Sequence, residues 1–263
     1  LKIIDKSLSS GATFFGKSLI NFEKNFFKKY NLKYGVAVGS GTDALLISLM
    51  SLGVKNGDEV ITASNTAIPT ISAIRSVGAK PKLVDINPDD YLIDTDKIER
   101  MITSKTKAII PVHLYGQAAD LEKILKLAKK YKIRVIEDCA QSQGAIYKNK
   151  YVGTFGDLGC FSFYPTKILG AYGDGGFVST NSLKLLQKVR RMRFYGIEQF
   201  NKKNKYNKKY YSNEHGINSR LDEIHSSILR FKLKKVRSFI LKRRKIARFY
   251  SDGLKDSGLL LPI

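Results

Sequence analysis

Two absences and one shortage bound what this chain of 263 residues can be. No apolar run approaches the ~20 residues a membrane-spanning helix needs, and no charged start followed by an apolar core marks a secretory leader. A cytoplasmic protein is therefore expected. There are only 2 cysteines. Both Cys139 and Cys160 sit in apolar contexts and neither belongs to a CxxC pair, which argues against a disulfide scaffold and a zinc site, so no metal is expected. The shortage is of acid: 23 Asp and Glu stand against 46 Lys and Arg, a net charge of +23. Such an excess suits nucleic acid, an anionic membrane face or a polyanionic small substrate. The lysines, however, are spread from end to end. The densest block, residues 230–248, interleaves Phe231, Leu233, Val236, Phe239, Ile240 and Ile246 with basic residues, the pattern of one amphipathic helix with a solvated basic face. That reading is preferred to a DNA-binding helix, and neither nucleic acid nor a membrane is expected as a partner.

What is present is a regular alternation. Residues 1–34 carry Phe14, Phe15, Leu19, Phe22, Phe26 and Phe27 near helical spacing, a packing helix, and the start without methionine reads as clipped. From Tyr34 onward, strand-like runs at 34–38, 59–62, 81–86, 108–112, 134–138, 159–163 and 176–180 are separated mostly by helical patterns at 43–52, 68–77, 94–102 and 120–131. The alternation predicts an α/β fold, a mainly parallel seven-stranded sheet with helices on both faces. The Asn/Lys/Tyr tract at 201–211 has no periodic apolar face and reads as a surface loop, and no solenoid-length repeat is visible. The expected organisation is an N-terminal packing segment (1–34), a large domain (35–225), and a long basic helix leading toward a further small domain (226–263).

In sheets of this kind ligands gather beyond the carboxyl ends of the strands, and several chemistry-bearing residues fall there. Lys167 lies in a loop after Pro165, among small, apolar and hydroxylated residues. A lysine in such a setting tends to lose its proton or become an imine, so it reads either as a Schiff-base lysine or as a surface-loop lysine whose stem covers apolar neighbours. Residues 39–42, Gly-Ser-Gly-Thr, form a small-residue turn opening a helix. Free N–H groups there, with the hydroxyls of Ser40 and Thr42, make a phosphate cradle, although a simple N-cap explains the same residues. Asp138 closes an apolar strand, either as a structural acceptor or as the anion that keeps a heteroaromatic ring nitrogen protonated. His113 reads as a histidine hydrogen-bonded at a strand end. Ser162 adds a second hydroxyl, five residues before Lys167. An aldehyde partner, a pyridinium partner and a phosphate site together point to pyridoxal 5′-phosphate.

Seven motifs in order extend that reading: residues 40–45 (SGTDAL), 57–60 (GDEV), 111–117 (PVHLYGQ), 137–141 (EDCAQ), 161–167 (FSFYPTK), 173–176 (GDGG) and 216–223 (GINSRLDE). On these the chain resembles the pyridoxal-phosphate sugar aminotransferases of the DegT/DnrJ/EryC1/StrS family. The resemblance implies the large domain of fold type I enzymes, resembling aspartate aminotransferase. It implies that Lys167 carries the cofactor as an imine and shuttles protons, that Asp138 pairs with the pyridinium nitrogen, and that Gln141 sits near the ring hydroxyl. Gly41, Thr42, Asp43 and Ser162 would contact the phosphate, and Asn218 would reach the phosphate of a neighbouring subunit, hence a homodimer with shared active sites. Family members in which histidine replaces the lysine are dehydratases; lysine here favours transamination. Implied substrates are a nucleotide-linked keto-sugar and glutamate or glutamine as amino donor. Tyr195 before Gly196, with residues 65–70 (NTAIPT), resembles the branch that aminates C3 of dTDP-linked 3-keto-6-deoxyhexoses, with Tyr195 facing substrate. The alternatives are a 4-keto nucleotide-sugar aminotransferase of the same family, or an inactive truncated dimerisation module or basic nucleic-acid-binding regulator. Two departures stand out. Ala67 occupies a position where many members stack an aromatic ring on the cofactor, and the family continues about a hundred residues further, a domain-sized length, so the chain reads as a fragment.

Overall fold

A computed structural model describes residues 2–197, 211–212, 214–259 and 261. The chain runs α1 (Lys2–Ser9), α2 (Lys17–Tyr30), β1 (Tyr34–Val38), α3 (Gly41–Ser51), β2 (Glu59–Ala63), α4 (Ile68–Ser76), β3 (Lys80–Val84), α5 (Thr95–Ile98) and β4 (Thr106–Ile110). It continues with α6 (Leu121–Tyr131), β5 (Arg134–Asp138), the hairpin β6 (Ile146–Tyr147) and β7 (Lys150–Tyr151), β8 (Leu158–Ser162), β9 (Gly176–Thr180), α7 (Leu183–Met192), α8 (Glu223–Leu233) and α9 (Val236–Gly253).

The expected α/β architecture is what forms. Seven strands make one sheet in the order β1-β9-β8-β5-β4-β2-β3. Every pairing from β8 to β3 is parallel, and β9 runs antiparallel to both β8 and β1. Because β8 is buried at all five positions, successive side chains feed opposite cores, the period-2 rule of a strand covered on both faces. Leu158 and Cys160 join Val36, Val38 and Val178 under α3 and α7. Phe161 points the other way, joining Phe177, Phe22 and Phe26 beneath α2 and α8. Further along that second face, Ile61, Ile109 and Val135 pack with Ile124 and Ala128 of α6.

Two sequence expectations are refined. The aromatic run in residues 1–34 is two helices; α2 buries Leu19, Phe22, Phe26 and Tyr30, while Phe14 and Phe15 precede it. Glu223, almost wholly buried, accepts the N–H groups of Gly16, Ser18 and Leu19 at 2.8–3.0 Å, so the α8 start supplies the cap that Gly16 cannot. The single basic helix expected over 230–248 is broken: α8 stops at Leu233 and α9 starts at Val236. Beyond Ile240, α9 exposes its apolar residues as well as its basic ones, with Ile246 and Phe249 open to solvent. The loop expected at 201–211 lies, apart from Tyr211, outside the described residues.

Candidate active site

The parallel strands converge on Asp138, the last residue of β5. Its backbone is fixed on the β4 side, its N–H donating to Pro111 and its carbonyl accepting from His113 at 3.0 Å. The residue is only 5% exposed. One oxygen accepts from the Ala140 N–H at 3.1 Å and the other from the Thr70 hydroxyl at 2.9 Å. Burial raises its pKa above the ordinary carboxylate range, against the lowering by those two donors and by the neighbouring His113 and Lys167. A desolvated carboxylate with few donors is built to welcome a further N–H.

Lys167 sits on the loop joining β8 to β9, half-buried, its N–H donating to the Tyr164 carbonyl at 2.9 Å in the turn made by Pro165. The loop is held from beneath by Gln143. This side chain is 1% exposed; its amide donates to the Ser162 carbonyl, and its carbonyl accepts the Leu169 N–H at 2.8 Å. Gln143 thus ties together the two ends of the segment that carries the lysine. Lys167 opens into a cleft of about 610 Å³, shared with Gln141, Tyr115 and Thr166, and with Ile240 and Arg243 of α9. Gln141 accepts the Tyr115 N–H at 3.3 Å.

The cradle forms at the start of α3. The Ser40 hydroxyl caps the Asp43 N–H at 3.0 Å, while the N–H groups of Gly41 and Thr42 donate to no oxygen among the described residues. Ser162, at the end of β8, lies against this turn: a Cβ on Gly41 would fall 2.6 Å from the Ser162 Cβ, so only glycine admits the approach. Asp43 faces inward, accepting from the Ser219 hydroxyl at 2.7 Å, and Ser219 in turn accepts the Gly39 N–H at 2.8 Å. Burial raises the Asp43 pKa, with Ser219 and Ser40 opposing and Asp174 adding to the rise.

The remaining predicted residues lie on a strip beside the cradle. Asn218 is exposed and bridges Phe194 through the backbone; Tyr195, half open to solvent at φ 56°, donates its N–H to the Ile217 carbonyl at 3.0 Å. Ala67 is exposed at the start of α4. His113, Glu137 and Cys139 form a buried cluster whose ligand atoms lie within 4.8 Å of one another. These atoms are already engaged. His113 Nδ1 accepts the Ala119 N–H, leaving Nε2 to donate to Glu137, whose oxygens also take the N–H groups of Gly153, Phe155 and Gly156. Burial pushes the Cys139 thiol pKa far up, so it stays protonated. The cluster anchors the 153–156 turn.

The family described as the DegT/DnrJ/EryC1/StrS aminotransferase family matches across residues 1–263. The chain belongs to that family.

Among family relatives, the chain is 43% identical to a dTDP-3-amino-3,4,6-trideoxy-alpha-D-glucose transaminase of Micromonospora megalomicea subsp. nigra, covering 100% of this chain and 69% of that protein. It is 44% identical to a dTDP-3-amino-3,6-dideoxy-alpha-D-galactopyranose transaminase of Aneurinibacillus thermoaerophilus, covering 98% and 69%. The solved structure of Streptomyces venezuelae DesV in complex with a ketimine intermediate superposes with a TM-score of 0.91 at 38% identity, covering 97% of this chain and 66% of that one. The chain thus spans about two thirds of the length of the relatives it matches.

DegT/DnrJ/EryC1/StrS aminotransferases depend on pyridoxal phosphate, and the residues present fit that group. Two unpaired helix N-terminal N–H groups suit a phosphate. A buried carboxylate short of donors suits a ring N–H, and a half-buried amine close enough to lower the pKa of that carboxylate suits an aldehyde. Two residues that carry this geometry escaped the sequence reading. Thr70 was visible only as part of residues 65–70, and Gln143 only as a neighbour of the 137–141 motif; the partners of each are far away in sequence.

Proposed function

We propose that this chain carries the cofactor-binding unit of a pyridoxal-phosphate sugar aminotransferase, which moves an amino group from glutamate or glutamine to C3 of a dTDP-linked 3-keto-6-deoxyhexose. The observation that carries the reading is a buried Asp138 carboxylate at the end of β5 within electrostatic reach of Lys167 on the β8–β9 loop, with the start of α3 packed against Ser162 at the end of β8. The C3 position and the dTDP carrier are supported by the names of the two relatives above.

When bound, pyridoxal phosphate supplies an aldehyde that takes up the amino group and a ring that withdraws electrons from the carbon losing its proton. Lys167 Nζ holds the cofactor at rest. Released by the incoming donor, the same nitrogen would take the donor's α-proton and return it to the cofactor's former aldehyde carbon, on the far side of the transferred nitrogen. With the keto-sugar it would move the proton the opposite way, so one amine would serve both halves of a ping-pong cycle. Asp138 would accept the ring N–H and keep that nitrogen cationic. Gly41 and Thr42 bind the phosphate through their N–H groups and Ser162 through its hydroxyl, with Asp43 bracing the turn; orientation is their contribution. Gln141 would lie by the ring hydroxyl. Tyr195 faces the sugar, and Asn218 reaches the phosphate held by a second copy in a cytoplasmic homodimer. The excess positive charge steers the doubly anionic nucleotide-sugar toward the site.

The test is an assay of the full-length protein with glutamate and a panel of dTDP- and UDP-linked 3-keto and 4-keto sugars. Amination of a dTDP-linked 3-keto sugar in preference to the others is expected. Turnover confined to 4-keto sugars would overturn the C3 assignment, and a cofactor-loaded protein that aminates none of them would overturn the activity.

A further inference from the structure

Asp138 is served by a chain of hydroxyls with a single possible direction. Thr70, in the first turn of α4, is 1% exposed; its hydroxyl accepts from the Thr66 hydroxyl at 2.8 Å and donates to Asp138 Oδ2 at 2.9 Å. An ionised carboxylate can only accept, so Thr70 must spend its one proton there, and Thr66 fills its acceptor side. Neither hydroxyl caps the helix: the N-cap of α4 is Ala67, with no side-chain cap, and the backbone N–H groups of Thr66 and Thr70 donate to the carbonyls of Ala63 and Ala67. The other titratable groups facing this carboxylate are His113 from the end of β4, Lys167 from the β8–β9 loop, Cys139 next in the chain and Cys160 on β8. None of them donates a hydrogen bond to it among the described residues.

We propose that Thr70, oriented by Thr66, is a positioning residue: a one-way hydroxyl relay that holds the Asp138 carboxylate in place as the acceptor for the cofactor's ring nitrogen. The proposal rests on the pyridoxal-phosphate reading of the site. The Ala140 N–H fixes Oδ1, the relay fixes Oδ2, and with both oxygens held the carboxylate plane is set before the ring arrives. The relay also works against the burial that favours the neutral acid. Thr70→Val keeps the shape of the side chain and deletes only the donor. Thr70→Ser keeps the donor.

The experiment uses the full chain in wild-type, Thr70→Val, Thr70→Ser, Thr66→Val and Asp138→Asn forms. It measures the pyridoxal phosphate Kd by absorbance titration and, after removal of the cofactor, the pH titration of the 13C-labelled Asp138 carboxyl. Thr70→Val should move the Asp138 titration to higher pH and raise the Kd about tenfold, the worth of one hydrogen bond to a charged group. Thr70→Ser should restore both, and Thr66→Val should move both the same way by less. Thr66 is half-buried, so its variant carries the test if Thr70→Val fails to fold. Unmoved titration and Kd in both valine variants, or Thr70→Ser behaving as Thr70→Val, would overturn the relay. If Asp138→Asn binds the cofactor as tightly as wild type, the cofactor reading falls instead, and the carboxyl titration still judges the relay.

Discussion

Replacing Gln143 by methionine, a side chain of similar length without hydrogen-bonding capacity, tests how the lysine loop is held. Gln143 is 1% exposed, so no water takes over its contacts. The substitution leaves the Leu169 N–H without its acceptor and removes a donor from the Ser162 carbonyl. A buried donor left unpaired costs roughly 1–3 kcal/mol and an ordinary hydrogen bond lost adds about 1, so the variant should lose about 2–4 kcal/mol. In a chain of this size each kcal/mol is worth roughly 2–4 °C, and a Tm lowered by about 4–16 °C is expected in a circular dichroism melt. The loss should be local as well as global. Leu169 is two residues from Lys167, so its amide should exchange with deuterium faster than in wild type, and pyridoxal phosphate should bind more weakly as the loop loosens. A methionine variant that melts with wild type and keeps the Leu169 amide protected would show that the clamp contributes nothing.

Three further outcomes follow from the same geometry. Gly41→Ala places a Cβ 2.6 Å from that of Ser162, so overpacking should cost about 1–3 kcal/mol; a thermal melt together with phosphate competition against the cofactor reads both the strain and the damage to the cradle. Because the Asp138 pKa is raised in the folded protein, its ionisation opposes folding as pH climbs from the ordinary carboxylate range through the raised value. Cofactor-free Asp138→Asn should therefore gain on wild type near neutral pH, with the gap shrinking in acid; a gap that does not change with pH contradicts the assignment. Glu223→Ala orphans three N–H groups at the start of α2, and a loss of at least ~3 kcal/mol, with faster exchange at Ser18 and Leu19, should appear in denaturant unfolding followed by hydrogen exchange.

Much of this arrangement is local and therefore readable in the chain. The strand at 134–138 and the one at 176–180 fall where they were expected because apolar runs are cut by turn residues. Pro165 places Lys167 in a loop, Ser40 caps α3, and His113 is indeed a satisfied strand-end histidine. What escaped is what depends on distant partners. Thr70 reaches across 68 positions to Asp138, Gln143 across 26 to Leu169, and Glu223 across more than 200 to the start of α2. No spacing rule reports such bonds, since each polar side chain looks equally content on the surface. The break between α8 and α9 was also invisible, because residues 234–235 are both lysine, a good helix former, and neither glycine nor proline marks the stop.

The covalent partnership of Lys167 with pyridoxal phosphate is tested most directly by locating it. The full-length protein is loaded with pyridoxal phosphate, reduced with borohydride to lock any lysine that holds the cofactor, digested, and mapped by mass. A single phosphopyridoxyl adduct on Lys167 is expected, lost together with the visible absorbance in Lys167→Ala. An adduct on another lysine, or a Lys167→Ala protein that keeps its absorbance and turns over at the wild-type rate, would contradict it.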